Sequence, residues 1–446
     1  MNFVLSDLLE FESLYAQYPQ SKEKMTREIV GPYLEVASEF CEKELHPLNQ
    51  IGDQQGCKLQ DGVVTTPDGF KEAYKKYIEL GFPSLTGKEA FGGQEFPGLL
   101  WIAISEILTS TNWAWGMYSG LSHGAMYTIE NHGTDEQKTK FLTPLVSGVW
   151  TGTMCLTESH AGSDLGQIRT KAVPNSDGSY AITGEKIFIS AGEHDLSENI
   201  IHIVLARLPQ APAGTKGISL FIVPKFNVSD DGQVLDRNKV VCSAIEHKMG
   251  IHGNATCVLN FDGAKGYLIG PENRGLNCMF TFMNTARIGT AVQGLAASEI
   301  SFQGALSYAK ERLAMRSLSG SKYPEKNADP IIVHPAVRSM LMTQKAFSEG
   351  GRALAYFLAQ HVDIVESSND QEQQKHSDEL LAFLTPIAKA FLTESGNESA
   401  KHGVQVFGGH GFIVEHGMEQ IVRDARISTL YEGTTEIQSL DLLARK

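Results

Sequence analysis

The sequence predicts an α+β protein in which a helical part is followed by a β part and then by a second helical part. Three observations predict this order. Apolar residues recur at helical spacing in the first third of the chain, between residues 25 and 45 and between 99 and 108. In the middle third they form short β-branched runs between turn signals, and in the last third they follow helical spacing over long stretches. The 446 residues suffice for about three domains.

The changes of period set the expected domain boundaries. We expect an N-terminal helical domain over residues 1–149, a middle β domain over 150–268 and a C-terminal helical bundle over 269–446. In the bundle, the helical patterns cover 279–310, 335–361, 380–406 and 435–446. The polar stretch 365–379 predicts an exposed loop between two of these helices.

In the middle third, turn signals and aliphatic runs alternate over short distances. Asp177-Gly178 and Thr183-Gly184 are turn pairs, which predict a short strand over residues 179–182 between two turns. The other predicted strands are 152–156, 186–190, 200–205, 217–223 and 258–262. Because no pattern of helical length interrupts them, this part is predicted to be all β.

Composition and charge argue against several classes of protein. Lys and Arg number 38 against 52 Asp and Glu, which gives a net charge of −14, and no basic block is present to bind a polyanion such as nucleic acid. No apolar run reaches the roughly 18–20 residues that a membrane-spanning helix needs. The six cysteines are scattered without a CxxC spacing, and the first 12 residues carry acidic but no basic side chains. We therefore expect a cytoplasmic protein with reduced thiols, no membrane span and no nucleic-acid partner.

Motifs for several common types of site are missing. The sequence contains no GxGxxG, no GxxxxGK[ST] and no HExxH, so neither a Rossmann crevice nor a P-loop is predicted, and no metal site is expected. Residues 120–124 match GxSxG, the nucleophile elbow of α/β-hydrolases, but that elbow needs a strand before its serine, here Ser122. Since the preceding residues are typical of helix and loop, we interpret this match as accidental.

Glycine makes up about 10% of the chain, 43 of 446 residues, against a usual ~7%. Five of these glycines lie in the three segments 157–164, 405–412 and 431–434. Their unblocked main-chain N–H groups and hydroxyls are what a phosphate- or flavin-binding surface needs. Each segment also fits an ordinary turn or a helix C-cap, so both interpretations stay open.

The third glycine segment stands before the last predicted helix. Thr435 and Gln438 have the spacing of a capping box, which predicts a helix starting at Thr434 or Thr435. The free N–H groups of that helix would favour an anion such as pyrophosphate. Glu432 lies just before the helix. It is either a solvated carboxylate that helps to cap it or a base whose pKa is raised by burial towards the working pH.

Three sets of residues occur in a fixed order along the chain. The first is Met154-Cys155-Leu156-Thr157-Glu158 with Ala161-Gly162-Ser163-Asp164, and the second is Gly184-Glu185-Lys186-Ile187-Phe188-Ile189-Ser190. The third is Gln405-Val406-Phe407-Gly408-Gly409 with Arg423-Asp424-Ala425-Arg426 and Tyr431-Glu432-Gly433-Thr434. In this order they resemble the acyl-CoA dehydrogenase family of flavin enzymes, and the resemblance covers nearly the whole chain. It implies an N-terminal α domain, a middle β-barrel domain and a C-terminal four-helix bundle.

The resemblance implies sites for FAD and for an acyl-CoA. The residues that would contact FAD in their own subunit are Cys155, Leu156, Thr157, Gly162, Ser163, Phe188, Ile189, Ser190, Thr434 and Glu436. Those that would reach the FAD of a neighbouring subunit are Arg312, Gln405 and Gly409, which implies a homo-oligomer, either a dimer or a tetramer. The residues that would contact the acyl-CoA are Ser163, Asn284, Arg287 and Gly433. Phe188 and Ser190 stand where the family often has Trp and Thr.

The resemblance also implies the chemistry. Glu432 matches the catalytic base of the family, and the alternative base position of a minority of members is occupied here by Ala286, which cannot take a proton. In the family the carboxylate removes the proton α to the thioester carbonyl, which the N–H of the same residue polarises. A β-hydride passes to the flavin, a trans-2-enoyl-CoA forms, and electrons pass to an electron-transfer flavoprotein.

A finer resemblance points to one long bacterial branch, which includes 3-(methylthio)propanoyl-CoA and broad-range fatty acyl-CoA dehydrogenases. It rests on residues 150–158, 246–253, 270–276 and 327–335. Members of this branch continue past the last bundle helix into an extension domain, so either the 446 residues stop before that domain or the protein lacks it. The acyl chain length stays open.

Two other functions remain open. An acyl-CoA oxidase uses the same fold and returns its electrons to oxygen. A non-catalytic flavin-fold protein that binds DNA is the second, but the net charge of −14 and the intact Tyr431-Glu432-Gly433-Thr434 segment argue against it.

Overall fold

The computed structural model describes residues 1–444. Helices occupy the first part of the chain, strands the middle and helices the last part, which confirms the predicted α+β class. The α-helices of the described chain are α1 (Phe11–Tyr15), α2 (Arg27–Phe40), α3 (His46–Gln55), α4 (Phe70–Glu79), α5 (Gly98–Thr111), α6 (Trp113–His132), α7 (Asp135–Val146), α8 (Gly275–Glu311), α9 (Pro335–Ser367), α10 (Gln371–Phe407), α11 (Met418–Ala425) and α12 (Thr435–Ala444). The last two residues of the final predicted helix, Arg445 and Lys446, lie outside the described residues.

The strands form one seven-stranded sheet and two small hairpins. Their bounds are β1 (Lys58–Gln60), β2 (Val63–Thr65), β3 (Trp150–Cys155), β4 (Lys171–Pro174), β5 (Tyr180–Ser190), β6 (Asn199–Ala206), β7 (Ser219–Pro224), β8 (Phe226–Val228), β9 (Val234–Arg237), β10 (Val240–Ile245) and β11 (Thr256–Ile269). The main sheet has the order β3-β6-β7-β11-β5-β4, with β10 also paired to β11. The β3–β6 pair is parallel, whereas β11 is antiparallel to β5, β7 and β10.

Both faces of the central strands are buried, which explains why they read as continuous aliphatic runs. In β6, Ile203 and Leu205 belong to one hydrophobic core, whereas Val204 and Ala206 belong to another on the opposite face. The first core is completed by apolar side chains of α6, α7 and the beginning of α8. The sheet therefore gives rigid support to the loop after β3 and to the side chains along β5.

The chain packs into two compact units, each built from separate stretches. The first contains Met1–Cys41, Gly98–Trp113 and Arg287–Lys446, and the second contains Glu42–Pro97 and Ala114–Ala286. In the first unit α10 packs against α9, α11 and α12, and α9 packs against α5. These contacts join the C-terminal helices into a bundle.

The predicted turn at Thr183-Gly184 is wrong, because both residues lie inside β5, which runs without interruption from Tyr180 to Ser190. Gly184 serves a close approach instead. A Cβ at this position would lie 2.5 Å from Thr170 Oγ1 and 2.8 Å from Thr170 Cα. The glycine therefore lets β5 pass the neighbouring chain rather than reverse direction.

The predicted loop over residues 365–379 is also wrong. Helix α9 continues to Ser367 and α10 begins at Gln371, so only residues 368–370 link them. Asp370 caps the second helix by accepting a hydrogen bond from Glu372 N at 2.9 Å. The Glu, Gln and Lys residues here are good helix formers, and their polarity belongs to an exposed helix surface.

No helix of residues 1–444 is both long and apolar enough to cross a membrane. Over the same described residues, no group of three or more His, Cys, Asp or Glu side chains could hold a metal ion. All six cysteines are free thiols.

Candidate active site

The Glu432 turn (residues 431–433) has an uncommon backbone conformation. The φ angle is 55° at Glu432 and 86° at Gly433, in the left-handed region that residues other than glycine rarely adopt. Gln438 Nε2 donates to Glu432 O at 3.0 Å and to Gly433 O at 3.2 Å. Lys389 Nζ also donates to Gly433 O, at 2.7 Å. Side chains from α12 and α10 thus hold this strained turn in place.

The electrostatic surroundings of Glu432 bring its titration close to neutral pH. Burial raises the pKa of Glu432 to about 7, although the positive charges of Arg287 and Lys389 oppose the shift. Burial also lowers the pKa of Lys389 to about 8, and the Glu432 carboxylate opposes that shift. A carboxyl group that titrates near pH 7 can both accept and release a proton under ordinary conditions.

The main-chain N–H of Glu432 is unused. Leu430 N and Tyr431 N both donate to Ile427 O, but the Glu432 N–H forms no hydrogen bond with any residue of the described chain. A free N–H beside a fixed carboxylate can donate to an oxygen of a bound molecule.

Arg287, which the sequence placed beside the acyl-CoA, lies on α8 and is only 4% exposed. Its NH1 donates to Asp441 Oδ2 of α12 at 3.0 Å. Within residues 1–444, Arg287 Nε and Gln438 Oε1 are buried without a hydrogen-bond partner. Buried polar atoms normally have partners, so these two are free to bind a polar group of a ligand or a water molecule. Asn284, on the same helix, is exposed.

Helix α12 begins at Thr435, as predicted, but the expected capping box does not form. Thr434 is the capping residue, since its Oγ1 accepts from Ile437 N at 3.3 Å. Thr435 Oγ1 donates to Glu394 Oε1 instead, and the Gln438 side chain turns back to the Glu432 turn. Glu436 is exposed in the first turn, where its own N–H and the Thr434 hydroxyl lower its pKa.

In the second compact unit, a buried ion pair fixes the loop that follows β3. Lys186 Nζ of β5 donates to Leu156 O and to Glu158 Oε1, both at 2.9 Å. Glu158 also accepts from Thr170 N at 2.9 Å and from Thr170 Oγ1 at 2.7 Å. Burial alone would raise the pKa of Glu158, but the Lys186 charge and these hydrogen bonds outweigh it and lower the pKa to about 2. Burial lowers the pKa of Lys186, and the Glu158 charge opposes that shift. The loop is therefore held by a buried, hydrogen-bonded ion pair.

A β-bulge in β5 exposes Phe188. Ile189 pairs with Cys257 of β11 and Lys186 with Leu259, so residues 187–188 together face the single residue Val258. The φ angle of Phe188 is 58°, and its side chain is 59% exposed although it belongs to the central sheet. Such bulges re-aim side chains next to functional sites. The ring of Phe188 is available to stack on a flat molecule.

The other predicted residues of this unit divide by exposure. The Cys155 and Ile189 side chains are buried in the core, so only their main chains remain for a ligand. Thr157 O accepts from Ile187 N at 2.9 Å, and Ser190 O accepts from Thr153 Oγ1 at 2.8 Å. Gly162 and Ser163 are exposed.

Arg312, Gln405 and Gly409 are exposed residues of the first unit. An aromatic contact joins α8, which Arg312 follows, to α10, which carries Gln405 and which Gly409 follows, because Tyr308 of α8 stacks on Phe407 of α10 with ring centroids 4.2 Å apart. Arg312 N donates to Tyr308 O, and Gly409 follows α10, next to a glycine with a φ of 60°. A Cβ at Gly409 would meet nothing within 4 Å. This end of the unit therefore carries an exposed arginine and an exposed stretch of main chain at Gly409.

The GxSxG match lies inside α6, which runs from Trp113 to His132. Ser122 Oγ donates to Tyr118 O at 2.8 Å and accepts from Gly152 N at 3.1 Å. The serine therefore supports a helix and the start of a strand, and the strand–turn–helix of a nucleophile elbow is absent at residues 113–132.

The sequence did not assign Lys389, Gln438 or Lys186 to a ligand-binding or catalytic role. Lys389 carries a detectable signal, since a lysine within the apolar run Pro386-Ile387-Ala388-Lys389-Ala390-Phe391-Leu392 is unusual on a helix. Gln438 was interpreted as a capping residue. Its contact with the Glu432 turn depends on the conformation of that turn, which the sequence does not reveal.

Models of three acyl-CoA dehydrogenase domains match successive parts of the chain. The N-terminal domain model matches residues 33–149, the middle domain model 153–264 and the C-terminal domain model 273–446.

Curated relatives named as acyl-CoA dehydrogenases match most of the chain, and a solved structure shares its fold. The 3-methylmercaptopropionyl-CoA dehydrogenase of Ruegeria pomeroyi is 46% identical over 413 residues, which cover 93% of this chain and 70% of that protein. A butyryl-CoA dehydrogenase of Syntrophomonas wolfei is 37% identical over 433 residues, or 94% of this chain and 70% of that protein. A solved chain described as the electron transferring flavoprotein of Acidaminococcus fermentans has a TM-score of 0.76 at 27% identity, covering 94% of this chain and 98% of its own length.

Proposed function

The chain belongs to the acyl-CoA dehydrogenase family, and we propose that it oxidises an acyl-CoA thioester to a trans-2-enoyl-CoA with FAD as cofactor and electron-transfer flavoprotein as acceptor. The observation that carries this proposal is the Glu432 turn. It combines a carboxyl group that titrates near neutral pH with a free N–H of the same residue. Removal of a proton next to a thioester carbonyl needs both groups.

The residues of each unit fit a flavin dinucleotide by their chemistry. In the second unit, the exposed Phe188 ring suits a flat ring system, and the loop with Gly162 and Ser163 leaves main chain uncovered. In the first unit, Arg312 and the N-terminus of α12 suit phosphate groups. When bound, FAD would supply the acceptor for the β-hydrogen and its electron pair.

The residues of this chain would act on the α-carbon. Glu432, in its carboxylate form, takes the α-proton, while its own N–H donates to the thioester oxygen and stabilises the negative charge that develops there. The Gln438 and Lys389 hydrogen bonds hold the turn in one conformation, so both groups are positioned before the substrate binds. Ala286, at the alternative base position, cannot compete.

For the substrate, we propose either 3-(methylthio)propanoyl-CoA or a fatty acyl-CoA. The 46% identity to a 3-methylmercaptopropionyl-CoA dehydrogenase supports the first, and the 37% identity to a butyryl-CoA dehydrogenase supports a short fatty acyl group. A turnover screen over short, branched, thioether and long acyl-CoAs with a dye acceptor separates these choices.

Glu432→Gln tests the catalytic assignment. We expect the variant to keep its flavin and to lose dehydrogenation by about 10³-fold or more, because the amide cannot accept the α-proton. Glu398→Gln is the matched control, since Glu398 is an exposed carboxylate of α10. Near-normal turnover of Glu432→Gln would refute the assignment. Peroxide formation without an added acceptor would identify the protein as an acyl-CoA oxidase instead of a dehydrogenase.

We also propose a cytoplasmic homo-oligomer, either a dimer or a tetramer. The free thiols of all six cysteines support the compartment. The exposed positions of Arg312, Gln405 and Gly409 support contact with a second subunit. Light scattering of the purified protein distinguishes a dimer from a tetramer.

A further inference from the structure

Lys389 is a buried cation with an unusual contact. Its side chain is 0% exposed in the middle of α10, and no carboxylate of residues 1–444 forms an ion pair with it. Its Nζ donates to a main-chain oxygen, that of Gly433, at 2.7 Å. Burying an ammonium group is costly unless hydrogen bonds or charges compensate. The contact that compensates here lies one residue after Glu432.

The Glu432 turn depends on contacts from two helices. Gly433 O accepts from Lys389 of α10 and from Gln438 of α12. Glycine is favoured at this position, since its φ of 86° lies in the left-handed region and a Cβ at Gly433 would lie 2.6 Å from Gln438 Nε2. The two helices therefore hold the same peptide group, and they fix the direction of the adjacent carboxylate and N–H.

The charges around Glu432 single out Lys389. From α8, Arg287 faces both Glu432 and Lys389, but its charge is offset by the buried Asp441 of α12. Glu394 of α10 and Glu436 of α12 act on Lys389 from a distance, and both are exposed. Lys389 is thus the buried positive charge beside Glu432 that lacks a carboxylate partner among residues 1–444.

We propose that Lys389 is a positioning residue of the reaction, which holds the Glu432 turn through Gly433 O and favours the ionised form of Glu432. This inference rests on the proposed function, in which Glu432 is the base. The hydrogen bond keeps the carboxylate and its N–H aligned, and the ammonium charge extends the pH range in which the base is ionised. Gln438 supplies the geometry without the charge.

Lys389→Met tests both effects. Methionine fills similar space but carries neither donor nor charge. We expect kcat to fall roughly 10- to 100-fold with little change in KM, and the acid limb of the pH profile to move up by about one pH unit. Gln438→Leu removes the uncharged side chain that donates to the turn. It should lower kcat and leave the acid limb at the pH of the parent. Lys401→Met, a change at an exposed lysine of α10, is the matched control and should alter neither.

A stability measurement gives a readout that needs neither substrate nor flavin. The pKa of Glu432 is raised from 4.5 to about 7 in the folded chain. The folded chain therefore binds a proton at Glu432 more tightly than the unfolded chain does. The stabilisation is full below pH 4.5 and is lost as the pH rises through 7. The free energy of unfolding should therefore fall more steeply over this window in the parent than in Glu432→Gln, because Asp363, whose pKa burial also raises to about 7, contributes equally to both. With Lys389→Met, the loss should continue to higher pH.

The possible outcomes decide between a positioning and a merely structural lysine. An acid limb and a stability window that stay unchanged in Lys389→Met overturn the proposal, as does failure of both Lys389→Met and Lys389→Gln to fold while Lys389→Arg folds. Retention of the parent acid limb in Lys389→Arg supports it. If Glu432→Gln keeps its turnover, the proposed function fails, but the shift of the stability window still reports on the Lys389 charge.

Discussion

At the scale of the residue, the pKa of Glu432, the proposed base, is expected to set the pH dependence of the reaction. Only the carboxylate form can take the α-proton, and burial raises the pKa to about 7. We therefore expect kcat/KM to be constant above this pH and to fall tenfold per pH unit well below it. Steady-state rates from about pH 5.5 to pH 8.5 check the limb. A limb at the ordinary glutamate value of 4.5 would contradict the effect assigned to burial.

Phe188 offers a second prediction at this scale. Its exposed ring on the β5 bulge is proposed to stack on the flavin, so Phe188→Ala should purify with less flavin, whereas Phe188→Trp should retain it. The ratio of flavin to protein absorbance measures the content. Val173→Ala is the control, because Val173 is an exposed apolar residue of β4 in the same sheet. Equal flavin content in Phe188→Ala and the parent would remove Phe188 from the site.

The sequence identifies some of these residues and misses others for a physical reason. Glu432 and Phe188 lie in short segments that resemble one family, so a role can be proposed for them without a structure. Lys389 meets Gly433 from 44 residues away in the chain. No local pattern encodes a contact between two distant segments, and only the packing of α10 against the Glu432 turn makes it visible.

At the scale of the element, the Glu432 turn depends on Gly433. The change Gly433→Ala would place a Cβ 2.6 Å from Gln438 Nε2, which must then move away from the two carbonyl oxygens that it holds. Gly178→Ala is a matched control, because Gly178 has a similar φ of 80° and an added Cβ would meet nothing within 4 Å. We expect Gly433→Ala to cost about 1–3 kcal/mol more than the control, as lost hydrogen bonds do. Denaturant unfolding of both variants measures the difference, and equal costs would contradict the role of Gln438.

The elements also show where sequence patterns mislead. Thr183-Gly184 has the composition of a turn, but Gly184 allows Thr170 to approach the middle of β5. The polar residues 371–379 resemble a loop by composition, but they form the exposed first turns of α10. In both cases the residue types indicate exposure to solvent or close contact with a neighbouring segment. They do not indicate the backbone conformation, which tertiary contacts decide.

At the scale of the whole molecule, pattern and packing divide the chain differently. Changes in the spacing of apolar residues predict three sequential domains, 1–149, 150–268 and 269–446. This division stays a prediction. Packing groups Gly98–Trp113 with the C-terminal helices in one compact unit. Within that unit, Arg352 of α9 forms a buried ion pair with Glu106 of α5. Period reveals the kind of element, but only contacts reveal which elements fold together.

The proposed sharing of FAD between subunits makes the last prediction, since Arg312 would serve the flavin of its neighbour while Glu432 serves its own. Glu432→Gln and Arg312→Gln should each be inactive as homo-oligomers. Lys310 is an exposed lysine at the end of α8, two residues before Arg312. Lys310→Gln is therefore the control for the loss of a surface charge and should stay active.

Mixing the two inactive variants after reversible dissociation should restore activity. In a mixed dimer the Arg312→Gln subunit keeps Glu432, and the Glu432→Gln subunit supplies the missing arginine, so one of the two sites is complete. Random mixing places half of the subunits in mixed dimers, and we therefore expect about a quarter of the parent activity per subunit. If Arg312 served its own subunit, every site would lack either the arginine or the base, and mixing would restore nothing. The measured fraction thus decides whether one chain can build the site alone.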